Sequence, residues 1–134
     1  MVCRQILSIL KKNQNILISK KERKKKKMKL WIDDTRPAPV GYFWAKSVNK
    51  AKAIILDSEE QTAIPRMYDC NFCIEVIDID HDAGDYVYDG GDYIKLLDWL
   101  EETNRNIPIH IHSMNPVGVA NMRTIIQRNK WKEV

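Results

Sequence analysis

The chain has 134 residues, 44% hydrophobic and 30% charged, with three cysteines and a formal charge of +4. That suits one α/β-sized domain: no stretch approaches the roughly 20 apolar residues of a membrane helix, and so few cysteines exclude a disulfide framework and point to a reducing compartment. The charge is uneven, with eight Lys and two Arg against Glu22 in residues 1–27 but 12 basic and 17 acidic groups in residues 28–134, so bulk charge is no argument for nucleic-acid binding.

Residues 1–27 read as a basic, disordered leader with no core of its own. Ile6, Leu7, Leu10 and Ile16–Ile18 offer a weak basic amphipathic helix for a membrane surface, but no small-residue cleavage site marks a signal peptide. A third reading accounts better for the run ending Lys24-Lys25-Lys26-Lys27-Met28. On that reading the purine-rich codons of Lys-Glu-Arg can contain a bacterial ribosome-binding sequence, translation is expected to start at Met28, and the expected domain is residues 28–134.

In chain order, Lys29–Ile32 is a short buried strand that ends in Asp33-Asp34. Pro37 and Pro39 keep the following segment out of a helix. Tyr42–Lys46 is strand-like, and Ser47 caps a helix to about Glu60 with Val48, Ala51, Ile54 and Ile55 on one stripe. A polar loop with Pro65 leads to the strand Phe72–Ile79, which ends in Asp80-His81-Asp82. Gly84–Gly91 is a loop, and Asp92 caps a helix through Glu102 carrying Ile94, Leu97 and Leu100. Pro108 opens the strand Ile109–His112, and Ser113-Met114-Asn115-Pro116 turns into a last helix with Val119, Met122, Ile125 and Ile126, fading near Asn129. This order predicts a mostly parallel sheet with covering helices.

Three predicted strand ends are loaded with polar groups: Asp33-Asp34, Asp80-His81-Asp82, and His112-Ser113 with Asn115. In a parallel sheet these ends face one crevice, where ligands bind. Carboxylates gathered there repel one another unless a hard cation or protons neutralise them, and Mg²⁺ (or Mn²⁺) suits carboxylate oxygens while leaving positions for a phosphate. His81 and His112 would transfer protons near neutral pH. The amides around Val117 and Gly118 open the last helix and offer an anion site. Taken singly, each group has a bland reading as a cap or turn residue; their convergence on one sheet edge favours chemistry.

Weaker signals are set aside. Cys70-Asn71-Phe72-Cys73 enters a strand, not a helix, and reads as structural thiols. His110-Ile111-His112 places two imidazoles on one strand face, as for zinc, but His110 lies deeper. Trp31, Trp44, Trp99 and Trp131 read as packing.

Leu30-Trp31-Ile32-Asp33-Asp34-Thr35-Arg36-Pro37-Ala38-Pro39, Ile79-Asp80-His81-Asp82-Ala83-Gly84 and His112-Ser113-Met114-Asn115-Pro116-Val117-Gly118 together resemble the cyclic-phosphate processing receiver-like domains. The resemblance runs from Met28 to about Arg128. It implies a compact three-layer α/β/α receiver-like (flavodoxin-like) fold, reduced to about four strands and three main helices. By position, Asp33 and Asp34 look like the metal-binding acidic pair of receivers, Asp80 like the phosphate-accepting acid and Ser113 like the hydroxyl that contacts a phosphoryl group. His81 and His112 look like the histidines that set this family apart. Departures from a signalling receiver are as telling: no fifth strand presents a lysine, since Lys130 and Lys132 follow the final helix, and Asp82 adds charge where an acyl phosphate needs stabilising.

The resulting expectation is a metal-dependent phosphoesterase that opens a cyclic phosphate on a nucleotide or an RNA terminus. Asp33, Asp34 and Asp80 hold the metal, and His81, His112 and Asp82 form the catalytic set. Arg36, Ser113, Asn115, Val117 and Gly118 clamp the phosphate. The alternative is a non-enzymatic receiver-like module that binds a phosphate ligand or takes phosphate on Asp80. The expected setting is cytoplasmic, bacterial or phage, with no membrane segment, no DNA-binding module and no pattern that fixes an oligomeric state.

Overall fold

The computed structural model describes residues 26–60 and 72–134. Its elements are β1 (Lys26–Ile32), β2 (Tyr42–Ala45), α1 (Val48–Glu59), β3 (Phe72–Ile79), a 3₁₀ turn (Gly84–Tyr86), α2 (Ile94–Glu102), β4 (Ile109–Ile111) and α3 (Pro116–Arg128). The strands form one sheet in the order β2-β1-β3-β4, with every neighbouring pair parallel. Residues 1–25, and with them most of the expected leader, lie outside the described residues, as do Pro65 and Cys70. Lys26 and Lys27 open β1 and pair with Phe72 and Cys73 of β3, so the first strand starts two residues ahead of the expected domain boundary.

Local chemistry explains where the helices begin. Ser47 is extended, and its hydroxyl accepts the Lys50 amide at 3.1 Å, capping α1. Asn115 does the same for α3 through the Gly118 amide at 3.1 Å, with Pro116 in the first turn where its missing N–H is harmless. The expected Asp92 cap of α2 is not formed: Tyr93 precedes the helix, and Asp92 Oδ1 instead accepts the Ala83 amide at 3.2 Å, closing the loop between them.

Alternation along the strands sorts side chains to two faces. One face carries Leu30 and Ile32, Ala45, Ile77 and Ile79, and Ile109, all fully buried against Val48, Ala51 and Ile55 of α1, Leu96, Leu97 and Leu100 of α2, and Met122 of α3. Each such Leu or Ile contributes about 1.5–3 kcal/mol by leaving water. Because α1 packs on α2 and α2 on α3, the three helices share this face.

The opposite face bears Lys29, Trp31, Tyr42, Trp44, Val76, Asp78 and His110, and no helix among the described residues covers it. The expected α/β class and parallel sheet are found, but the third layer is not formed within the described residues. Between β1 and β2, Pro37 and Pro39 keep the connection out of a helix. The proline segment is instead pinned by that face's indoles: Trp31 Nε1 donates to the Arg36 carbonyl and Trp44 Nε1 to the Asp33 carbonyl, both at 2.8 Å.

Beyond α3 the chain returns to the sheet. Glu133 forms a single parallel bridge to Ile109, a stub at the outer edge of β4. No helix among the described residues is long and apolar enough to cross a membrane.

Candidate functional site

Three backbone hydrogen bonds carry the parallel ladder one residue past the strands. The Asp33 amide donates to the Ala45 carbonyl at 3.3 Å, the Asp80 amide to Ile32 at 2.9 Å and the His112 amide to Ile79 at 3.0 Å. Asp33, Asp80 and His112 are thereby set side by side on the C-terminal sheet edge, and one ligand atom from each lies within 4.8 Å of the others.

Asp33 is fully buried and fully used. Its Oδ1 accepts the amides of Thr35 at 3.0 Å and Arg36 at 2.9 Å, while Oδ2 meets Arg36 Nε and His112 Nε2, each at 2.9 Å. Burial alone would raise its pKa. The Arg36 and Thr35 amides, then His112 and the Arg36 guanidinium, outweigh burial and hold the carboxyl below the usual range.

His112 is clamped on three sides. Nδ1 lies 2.6 Å from Asp78 Oδ1, Nε2 faces Asp33, and the ring stacks on Trp31 with centroids 4.0 Å apart and planes 4° from parallel. Burial pushes its pKa down, but the hydrogen bonds to Asp78 and Asp33 push it up by more, so the imidazolium is favoured and both N–H groups donate. With each nitrogen engaged by a carboxylate, the ring has none free for a substrate.

Arg36 spans the acids, with Nη2 3.4 Å from Asp80 Oδ2, while Asp80 Oδ1 accepts the His81 amide at 2.8 Å. Asp34 stands apart from this cluster: its carboxylate rests on Gly84, whose φ of +52° and lack of a side chain make room for it. Burial raises the Asp34 pKa, and the charges of Asp33 and Asp80 add to the rise. Asp33 and Asp80 bring carboxylate oxygens together, as a hard divalent cation takes them, whereas Asp34, the third expected ligand, is not in the cluster of ligand atoms, whose third member is His112. The Arg36 side chain, 47% exposed, has room to swing away and yield the place.

His81 belongs to a second, more open group. Its Nδ1 lies 2.9 Å from Asp82 Oδ1 and 3.4 Å from Asn115 Nδ2. The shorter contact places the proton on Nδ1, donated to Asp82, and leaves Nε2 as an acceptor. The ring packs flat on Gly118, where any side chain would collide with it. Gly118 is thus buried and its amide is taken by Asn115, so the expected anion site at that amide is already filled from within; Val117 beside it is exposed. Ser113 Oγ accepts the Asn115 amide at 3.1 Å and works in the turn.

Two members of the site were not expected from the sequence. Asp78 reads as one more strand acid, yet it is buried in the parity opposite Ile77 and Ile79, and a buried acid there needs a partner. Trp31, expected as packing, is the plate behind His112. His110 does not join His112 in a zinc pair: it is exposed, and its Nδ1 meets the Val134 carbonyl at 2.7 Å.

A family model described as the cyclic-phosphate processing receiver domain matches residues 28–128. No curated protein and no solved structure matches the chain. The matched span holds every strand-end group from Asp33 to Gly118, and on that footing the chain belongs to the cyclic-phosphate processing receiver domain family.

Proposed function

We propose that the domain is a metal-dependent phosphoesterase that hydrolyses a cyclic phosphate, carried by a nucleotide or an RNA terminus. The observation that carries the reading is the pairing, on one sheet edge, of two carboxylates, Asp33 and Asp80, bridged by Arg36, with a histidine held by Asp82. Mg²⁺ or Mn²⁺ held by Asp33, Asp34 and Asp80 would neutralise phosphoryl oxygens and lower the pKa of a water. Arg36, freed from the acids, pairs with the phosphate through its fork of N–H donors. His81 Nε2 takes a proton from the attacking water and returns it to the ring oxygen that leaves phosphorus, so one P–O bond forms as another breaks. His112 and Asp78 act behind the reacting groups by holding Asp33 charged and in place, which narrows the expected catalytic set to His81 and Asp82.

The test is phosphorus NMR of the full chain with Mg²⁺ and a panel of 2′,3′- and 3′,5′-cyclic nucleotides, cyclic dinucleotides and RNA ending in a 2′,3′-cyclic phosphate. Ring opening is expected, lost in Asp80→Asn and slowed on the order of 10²–10⁴-fold in His81→Ala. Undiminished opening in both variants would refute the assignment. The binding-module reading has its own support, since Arg36 already balances Asp33 and Asp80 without any ligand. Ligand resonances that shift or broaden while no product forms would favour it.

A further inference from the structure

A cleft beside the acidic centre is lined by Trp44, Lys46, Ser47, Lys50 and Tyr86. Both aromatic walls are tied to the acids. Trp44 Nε1 donates to the Asp33 carbonyl at 2.8 Å, and Tyr86 lies two residues beyond Gly84, against which the Asp34 carboxylate rests. The floor is held by bonds that need no ligand: Tyr93 donates its hydroxyl to the Lys46 carbonyl at 2.7 Å, and Ser47 donates to Asp89 Oδ2 at 2.6 Å. Lys46 itself is exposed, and its ammonium lies 4.6 Å from the Trp44 ring centroid and 5.8 Å from that of Tyr86. A planar ring stacked on Trp44 would centre at about the same height, roughly 4.5–7 Å. The ammonium, on its flexible stem, can swing away and leave both ring faces open to a flat ligand.

We propose that this cleft is the base subsite: the heteroaromatic ring of a nucleoside cyclic phosphate stacks on Trp44 beside Tyr86, while Lys46 and Lys50 turn to the sugar-phosphate. The proposal rests on the phosphoesterase reading for where the phosphate lies, and it selects nucleoside cyclic phosphates over cyclic phosphates of simple polyols. A polyol offers the two rings only scattered C–H contacts, whereas every base presents a whole π-face to stack on them.

The test compares 2′,3′-cyclic AMP with methyl riboside 2,3-cyclic phosphate, which keeps the phosphate ring but lacks the base. Affinities are measured by calorimetry on the full chain in Mg²⁺, and turnover is followed by phosphorus NMR. The nucleotide is expected to bind on the order of 10- to 100-fold more tightly. Tyr86→Leu should erase most of that ratio while leaving affinity for the baseless compound as it was. Trp44→Leu should erase the ratio too but, by removing the bond to the Asp33 carbonyl, should also weaken the baseless compound, so the Tyr86 variant carries the comparison. Equal affinity for the two compounds overturns the proposal even if both are hydrolysed. A base-dependent affinity without turnover supports the cleft and sinks the phosphoesterase reading, and failure of both compounds to bind overturns the cleft. In a further arm, RNA ending in a 2′,3′-cyclic phosphate separates the two sources of this chemistry: tighter binding than the mononucleotide assigns the cleft to RNA ends, weaker binding to free nucleotides, and both support the base subsite.

Discussion

The two faces of the sheet are made by the same strands and do opposite work. On the helix face, Leu30, Ile32, Ile77, Ile79 and Ile109 are fully buried and chemically silent. On the other, Trp31, Asp78 and, one step past β4, His112 form a stacked and hydrogen-bonded relay that reaches Asp33. Stability comes from one parity of residues and chemistry from the other, so a change of a single position along a strand exchanges a packing effect for an electrostatic one.

The largest break in this comparison is on the helix face. Leu30→Ala should cost about 2–5 kcal/mol in urea unfolding, as expected for a cavity in a filled core. On the opposite face, Asp78→Ala leaves Nδ1 of the half-buried His112 without its partner and should cost about 1–3 kcal/mol. Asp78→Asn, which keeps an acceptor oxygen, should recover part of that. Gly118→Ala sharpens the contrast within the site: the new methyl meets the His81 ring, overpacking costs about 1–3 kcal/mol, and the His81 ring resonances should move while the far-ultraviolet circular dichroism stays unchanged.

Titration separates the faces further. In metal-free protein the raised pKa of His112 adds stability that is complete below the ordinary imidazole value and is lost as pH rises through the raised one. Asp33, with its lowered pKa, adds stability above the ordinary carboxylate value, lost as pH falls through the lowered one. Urea midpoints against pH should therefore decline on both sides, and His112→Gln should flatten the alkaline side most and, by removing one of the groups that lower the Asp33 pKa, soften the acid side as well. The smallest effect belongs to the surface: removing Glu59, which grips Arg105 through two contacts of 2.8 Å, should cost no more than about 1 kcal/mol and less in high salt.

Much of the fold is legible in the chain because period and punctuation agree. Phe72–Ile79 is found with the expected limits, and Ser47 and Asn115 are capping residues that cap. Polar residues bunched at strand ends mark the crevice because apolar runs stop there for a reason. Asp92 misleads because a capping residue type is equally able to bind a loop amide, and only the tertiary position of Ala83 decides between them. Asp78 and Trp31 were hidden for another reason: their function depends on His112, which lies far along the chain and arrives beside them through strand pairing. The bare face among the described residues was half visible, since the two prolines keep a helix out of the β1–β2 connection.

The return of the chain to β4 bears on how the sheet behaves toward other polypeptides. An open edge strand is a template on which a second chain can add itself. Here the Ile109 amide donates to the Lys132 carbonyl and the Ile109 carbonyl accepts the Val134 amide, each at 2.9 Å, and the strand behind them is only three residues long. A foreign strand approaching this side must first peel away residues 132–134, so that segment shields the β4 edge from strand addition.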